Sequence, residues 1–228
     1  MNFLSHFYFD RYSEDPHLIL GTVLPDLIRN ARNDWKLHPE KHAESFAVPS
    51  YENSIVRGWM RHLTVDRHFH NSDFFKNHTS AIKKAIVPVL KNSLVRPSFL
   101  AHISLELFLD SLLLTENHIQ TDTFYHQLKQ SDHKAINRFL EMNHIEDRAH
   151  FFKFFDRFME SKYLEKYREI DHIVYALNRI CMRLWQNPMS ENELHALTEV
   201  LGDYRDKFLN DYMDIYKFLG KKLRESKI

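Results

Sequence analysis

The stretch RPSFLAHISLELFLDSLLLT, residues 96–115, is apolar on nearly every side of a helical wheel. A helix without a polar face belongs at the centre of a water-soluble fold, so the pattern predicts a buried central helix over about 98–115. Pro97 stands at its favoured first-turn position. Apolar residues recur at helical spacing over about 51–70, 73–90, 121–142, 146–162, 164–186 and 190–224. Breaks are expected near Asn143, Lys162 and the QNP at 186–188. Residues 3–9 could be a strand by composition, but no second strand-like run can pair with them, so a short helix is expected. Pro25 inside PHLILGTVLPDLIRNA predicts a kink or a restart with Asp26 in the first turn. Residues 33–51 read as a loop with one turn of helix. The expected fold is a single all-α domain over residues 1–228, with seven to nine helices around the apolar one.

Composition limits what such a bundle can do. Lys plus Arg equals Asp plus Glu at 31 each, so no global field draws in nucleic acid or an acidic membrane. Cys181 stands alone, which excludes an internal disulfide framework. No signal peptide and no uninterrupted apolar run of about 18 residues appears, and a cytoplasmic location is expected. The unusual feature is 16 His, because imidazole is a transition-metal ligand and titrates near neutral pH. Many of them, such as His38, His78, His118, His133 and His144, sit among polar residues and read as surface.

Three constellations remain. In GWMRHLTVDRHFH, residues 58–70, His62, Asp66 and His70 recur every four residues and spread over only about 80 degrees of one helix face. An imidazole and a carboxylate one turn apart can share a divalent ion, or can form a helical ion pair. His102, Glu106 and Asp110 repeat that spacing on the apolar helix. A carboxylate there costs several kcal/mol unless a cation or strong donors meet it, so Glu106 needs a partner, or the face opens to water at Asp110. Asp26 with Arg29 could be a helix cap, or a metal ligand with a phosphate clamp. His6 reads either as a hydrogen-bonded core histidine or as a residue beside the site. Arg179 and Arg183, one turn apart on a late helix, are a solvated stripe or a hold on phosphate. Gly-rich phosphate loops, G-x-S-x-G, H-E-x-x-H and paired cysteines are all missing. Any catalysis must therefore rest on histidines and carboxylates, which points to metal-assisted hydrolysis.

MNFLSH at the start, LGTVLPDLIR at 20–29 and RGWMRHLTVD at 57–66 resemble the bacterial acyl carrier protein phosphodiesterase family. That family opens with M-N-F-L-x-H, continues with G-x-x-x-x-D-x-x-R and then carries G-x-x-x-H-x-x-x-D. YLEKYREIDHIVYALNRICMRL and YRDKFLNDYMDIYKFL are similar to its late helices. The resemblance implies a helical fold related to HD-type metal-dependent phosphohydrolases and a divalent ion, typically manganese. It also implies hydrolysis of the phosphodiester joining 4'-phosphopantetheine to acyl carrier protein, a small acidic partner. It places Asp26, His62 and Asp66 at the metal and Arg29 near phosphate. Where the family has a Thr-Asp pair after His-x3-Asp, this chain has Phe69 and His70. Where the family has Asp-His-Phe on the central helix, this chain has Glu106, Leu107 and Phe108. Glu106, His70 and His102 are then the candidates for general base or leaving-group acid. Two other readings stand beside this one: a related phosphohydrolase acting on a small phosphate ester or nucleotide, and a non-catalytic helical scaffold.

Overall fold

The computed structural model describes residues 1–46 and 49–226, without the side chains of residues 42, 43 and 45. Among the described residues all regular structure is helical, in eleven α-helices and two 3-10 segments. This exceeds the seven to nine helices expected, because long stretches of helical period conceal corners. The stretch 121–142 divides into α6 (Thr121–Lys129) and α7 (His133–Met142), where the Asp132 side chain caps α7 by accepting from the Ala135 N–H. The stretch 164–186 opens as a 3-10 segment, Tyr163–Arg168, and becomes α9 only over Ile170–Cys181. The stretch 190–224 divides into α10 (Glu191–Phe208) and α11 (Met213–Glu225). A hydrophobic period survives a short corner, so periodicity alone does not reveal one. The expected breaks coincide with left-handed residues: Lys162 has φ 44° and Asn187 φ 46°.

The chain forms two compact units. The first comprises Met1–Arg67, His118–Tyr163 and the chain from Gly220 onward. It contains α1 (Phe3–Asp10), α2 (Pro16–Ala31), most of α3 (Tyr51–Asn71), α6, α7 and α8 (Arg148–Ser161). A 3-10 segment, Pro39–Phe46, lies between α2 and α3. Helix α2 runs unbroken through Pro25, so no restart occurs there. Its cap is Asp15, which accepts from the His17 and Leu18 N–H groups and leaves Asp26 well inside the helix. Aromatic pairs hold α1 in place, Phe3 on Phe158 at 5.1 Å and Phe7 on Phe124 at 5.2 Å between centroids.

The contact between α2 and α3 depends on two glycines. A Cβ at Gly58 would collide with the Leu18 carbonyl oxygen, and one at Gly21 with the Ile55 carbonyl oxygen. Backbone meets backbone there, an approach open only to residues without a side chain.

The second unit, His68–Asn117 with Leu164–Leu219, holds the end of α3, α4 (Asp73–Ile86), α5 (Pro97–Thr115), α9 and α10. The apolar stretch is α5, as its composition requires, and packs against α4 and α9. Twelve of its 19 residues are buried. By length and composition α5 could cross a membrane, but its apolar sides are covered by protein. Asp110 is fully enclosed, so α5 does not open to water at that point.

Candidate metal centre

The close crossing of α2 and α3 places His62, one turn beyond Gly58, against the α2 backbone. Its Nδ1 lies 2.9 Å from the Thr22 carbonyl oxygen. A carbonyl can only accept, so Nδ1 donates to it and Nε2 is the ring nitrogen left to face the site. That Nε2 faces Asp66 Oδ2 at 3.5 Å. The geometry matches the support given to metal-binding histidines, in which the second ring nitrogen is tied to a backbone carbonyl.

Helix α1 contributes His6. Its ring stacks on His62, with centroids 3.8 Å apart and planes 18° from parallel. Nε2 of His6 lies 3.2 Å from Asp66 Oδ1 but off the hydrogen-bond line, and Nδ1 meets no hydrogen-bond partner among the described residues. His6 is 2% exposed. Burial, with the His62 ring beside it, pushes its imidazole down to about 3, which keeps the ring neutral at physiological pH. Asp66 is different. Burial works to raise its carboxyl, but the Met1 ammonium 2.6 Å away and the two imidazoles outweigh this and hold it well below the usual carboxylate range.

One donor atom from each of His6, His62 and Asp66 lies within 4.8 Å of the other two. Two imidazoles and one carboxylate suit a first-row divalent ion. His6, expected beside the site, belongs to its donor group. Its signal in the sequence is only the MNFLSH motif, because an aromatic segment gives no reason to single out a histidine. Asp26, the ligand that the resemblance implies, sits half-buried on α2 one turn past Thr22 and is not in this donor group. Arg29 is exposed on the same helix.

A second group forms in the other unit. His70 Nε2 and His102 Nε2 both converge on Glu106 Oε1, at 3.2 Å and 3.0 Å. The carboxylate on α5 expected to need a partner has two. Burial would raise the Glu106 carboxyl, but neighbouring charge and hydrogen bonds, those from His102 and His70 among them, hold it well below the usual range. Arg179 is exposed on α9. That helix ends at Cys181, so Arg183 lies in the turn beyond it rather than on the same helix.

No family model, no curated protein and no solved structure matches the chain.

Proposed function

We propose that this protein is a divalent-metal-dependent phosphodiester hydrolase, acting in the manner of an acyl carrier protein phosphodiesterase. The observation that carries the reading is His6. Its ring is fully buried, is neutral at working pH, lacks a hydrogen-bond partner at either nitrogen among the described residues and turns Nε2 toward an ionised carboxylate beside a carbonyl-anchored imidazole. A buried polar atom left without a partner costs about 1–3 kcal/mol. A cation bound at Nε2 would remove that cost at the nitrogen facing Asp66.

When bound, the ion, manganese by resemblance, would polarise a phosphoryl oxygen and acidify a coordinated water. The chain supplies the rest. His62 is fixed in tautomer and orientation by Thr22, so its lone pair points at the site without reorganisation. His6 adds a neutral donor and seals the apolar side. Asp66 supplies the only negative charge of the three, so a divalent ion there keeps net positive charge to meet an anionic phosphodiester. Arg29, exposed one turn past Asp26, is available to an approaching phosphate or to an acidic carrier protein. The phosphopantetheine ester of acyl carrier protein is the substrate that the sequence motifs favour.

Incubation with holo-acyl carrier protein and Mn²⁺ tests this directly. The expected result is loss of the phosphopantetheine mass from the carrier, abolished in Asp66→Asn. No loss with any divalent metal would remove the carrier protein from the proposal.

A further inference from the structure

We propose that His70, His102 and Glu106 form a second metal site, able to take late first-row divalent ions such as zinc or cobalt. The site lies wholly within the second unit and does not depend on the hydrolase reading.

Convergence is the first argument. Two imidazoles aim their Nε2 atoms at one carboxylate oxygen, 3.2 Å and 3.0 Å away. Their centroids are 5.0 Å apart and their planes 54° from parallel. The rings are therefore turned toward a common point rather than stacked, and donor atoms of all three residues lie within 4.8 Å of one another. An ion held among them would meet two nitrogens and one oxygen.

The surroundings fix that arrangement. His102 and Glu106 stand one turn apart on the rigid, buried α5, and His70 comes from the last turn of α3. Ser72 caps α4 by accepting from the Phe75 N–H and donates to the Phe69 carbonyl, so the chain turns back at once. That turn brings Phe75 edge-on to both rings, at 5.0 Å from His70 and 4.9 Å from His102. Phe69, the preceding residue on α3, flanks His70 at 5.1 Å. An apolar collar therefore restrains both imidazoles.

Access is the third argument. Glu106 is 17% exposed, while His70 and His102 are 33% and 43% exposed. The carboxylate sits deep and the imidazoles lie nearer water, so an ion can enter and keep open positions for water. Three protein ligands with open positions is the pattern of reactive rather than structural zinc sites. Imidazole-rich sites bind zinc and cobalt ahead of manganese in the first-row affinity order.

Metal-free protein titrated with Co²⁺ tests the site, with stoichiometry read by equilibrium dialysis and the d–d absorption band read in parallel. The wild type is expected to bind two equivalents. Glu106→Gln and the paired His70→Ala/His102→Ala variant should each lose one, with the helical circular dichroism unchanged. Should Glu106→Gln fail to fold, His102→Ala alone, at an exposed position, must still weaken one site at least tenfold. Unaltered stoichiometry and affinity in the histidine variants would overturn the proposal. If the only equivalent bound is the one lost in Asp66→Asn, the second site falls and the hydrolase centre stands. If the only equivalent bound is the one lost in the His70 and His102 variants, the second site stands and the hydrolase centre falls.

Discussion

His6 and His62 lie ring on ring, 3.8 Å between centroids and 18° from parallel. Two imidazolium cations cannot stack this closely in a buried site, and burial already drives His6 to the neutral form. The pair is therefore a ready set of nitrogen donors rather than a pair of charges.

His6→Phe should separate ligand from packing. Phenylalanine keeps a flat ring against His62 and brings no unpartnered nitrogen, so stability should stay within about 1.5 kcal/mol of wild type. Mn²⁺ or Co²⁺ affinity at the first centre should fall at least tenfold. Isothermal titration with a thermal melt of the same sample checks both. Unchanged affinity would return His6 to a packing role.

The glycine crossing makes a harsher prediction. Gly58→Ala places a methyl against the Leu18 carbonyl oxygen, and neither helix backbone can give way cheaply. Overpacking of this kind costs about 1–3 kcal/mol. The helices should part, and the Thr22–His62 contact one turn away should loosen with them. A depressed melting temperature together with weaker metal binding is expected from this one methyl group. The half-buried Gly220 lies away from any such contact, meeting only the far end of the Arg224 side chain. Gly220→Ala should affect neither property.

Much of this was legible in the sequence, and the reasons for what was not are specific. The apolar wheel of 98–115 could only be a buried helix, and α5 is one. The four-residue steps placed His62 and Asp66 on one ridge of α3, as they stand. The partnering of Glu106 also followed, because a carboxylate on such a helix has no inexpensive alternative. Three things were not legible. His6 reaches the centre through the packing of α1, and no local spacing encodes that. A kink or restart was expected at Pro25, yet the helix continues through it; the carbonyl left without an intrahelical donor is that of Gly21, inside the α2–α3 crossing, where tertiary packing overrides the preference for a restart. The corners within 121–142 and 190–224 were hidden because period-based reading has no term for a turn that keeps the hydrophobic phase.

His78 gives a pH dependence in the second unit. Its Nδ1 lies 2.8 Å from the Tyr204 hydroxyl, and its Nε2 faces Asp211 at 3.5 Å. Burial lowers its pKa more than Asp211 raises it. The folded state therefore holds the proton less tightly than the unfolded chain does. In the window between the lowered folded value and the ordinary value near 6.5, the unfolded state binds more protons, so stability rises with pH. The destabilisation is absent above that window and grows as pH falls through it. Urea denaturation between pH 7.5 and 5 should show this slope, and His78→Gln, which still accepts from Tyr204, should flatten it. An identical slope in the variant would assign the effect to other groups.

Phe75 provides the last prediction, because it touches both imidazoles of the second group while contributing no ligand. Its ring meets His70 at 87° and His102 at 82°, edge to face in each case. Removing it leaves Glu106 and both nitrogens chemically intact but lets the imidazoles rotate away from a common point. Loss of such an orienting shell typically costs 10–100-fold in metal affinity. Phe75 is only half-buried, so Phe75→Ala should cost less stability than the about 3–5 kcal/mol of a fully buried Phe. Phe75→Leu, which restores part of the collar, should recover part of the affinity. A graded order of wild type, leucine and alanine in Co²⁺ binding at the second site, with the first site unchanged in all three, is the expected outcome. Equal affinities across the series would mean that the collar does not hold the rings in place.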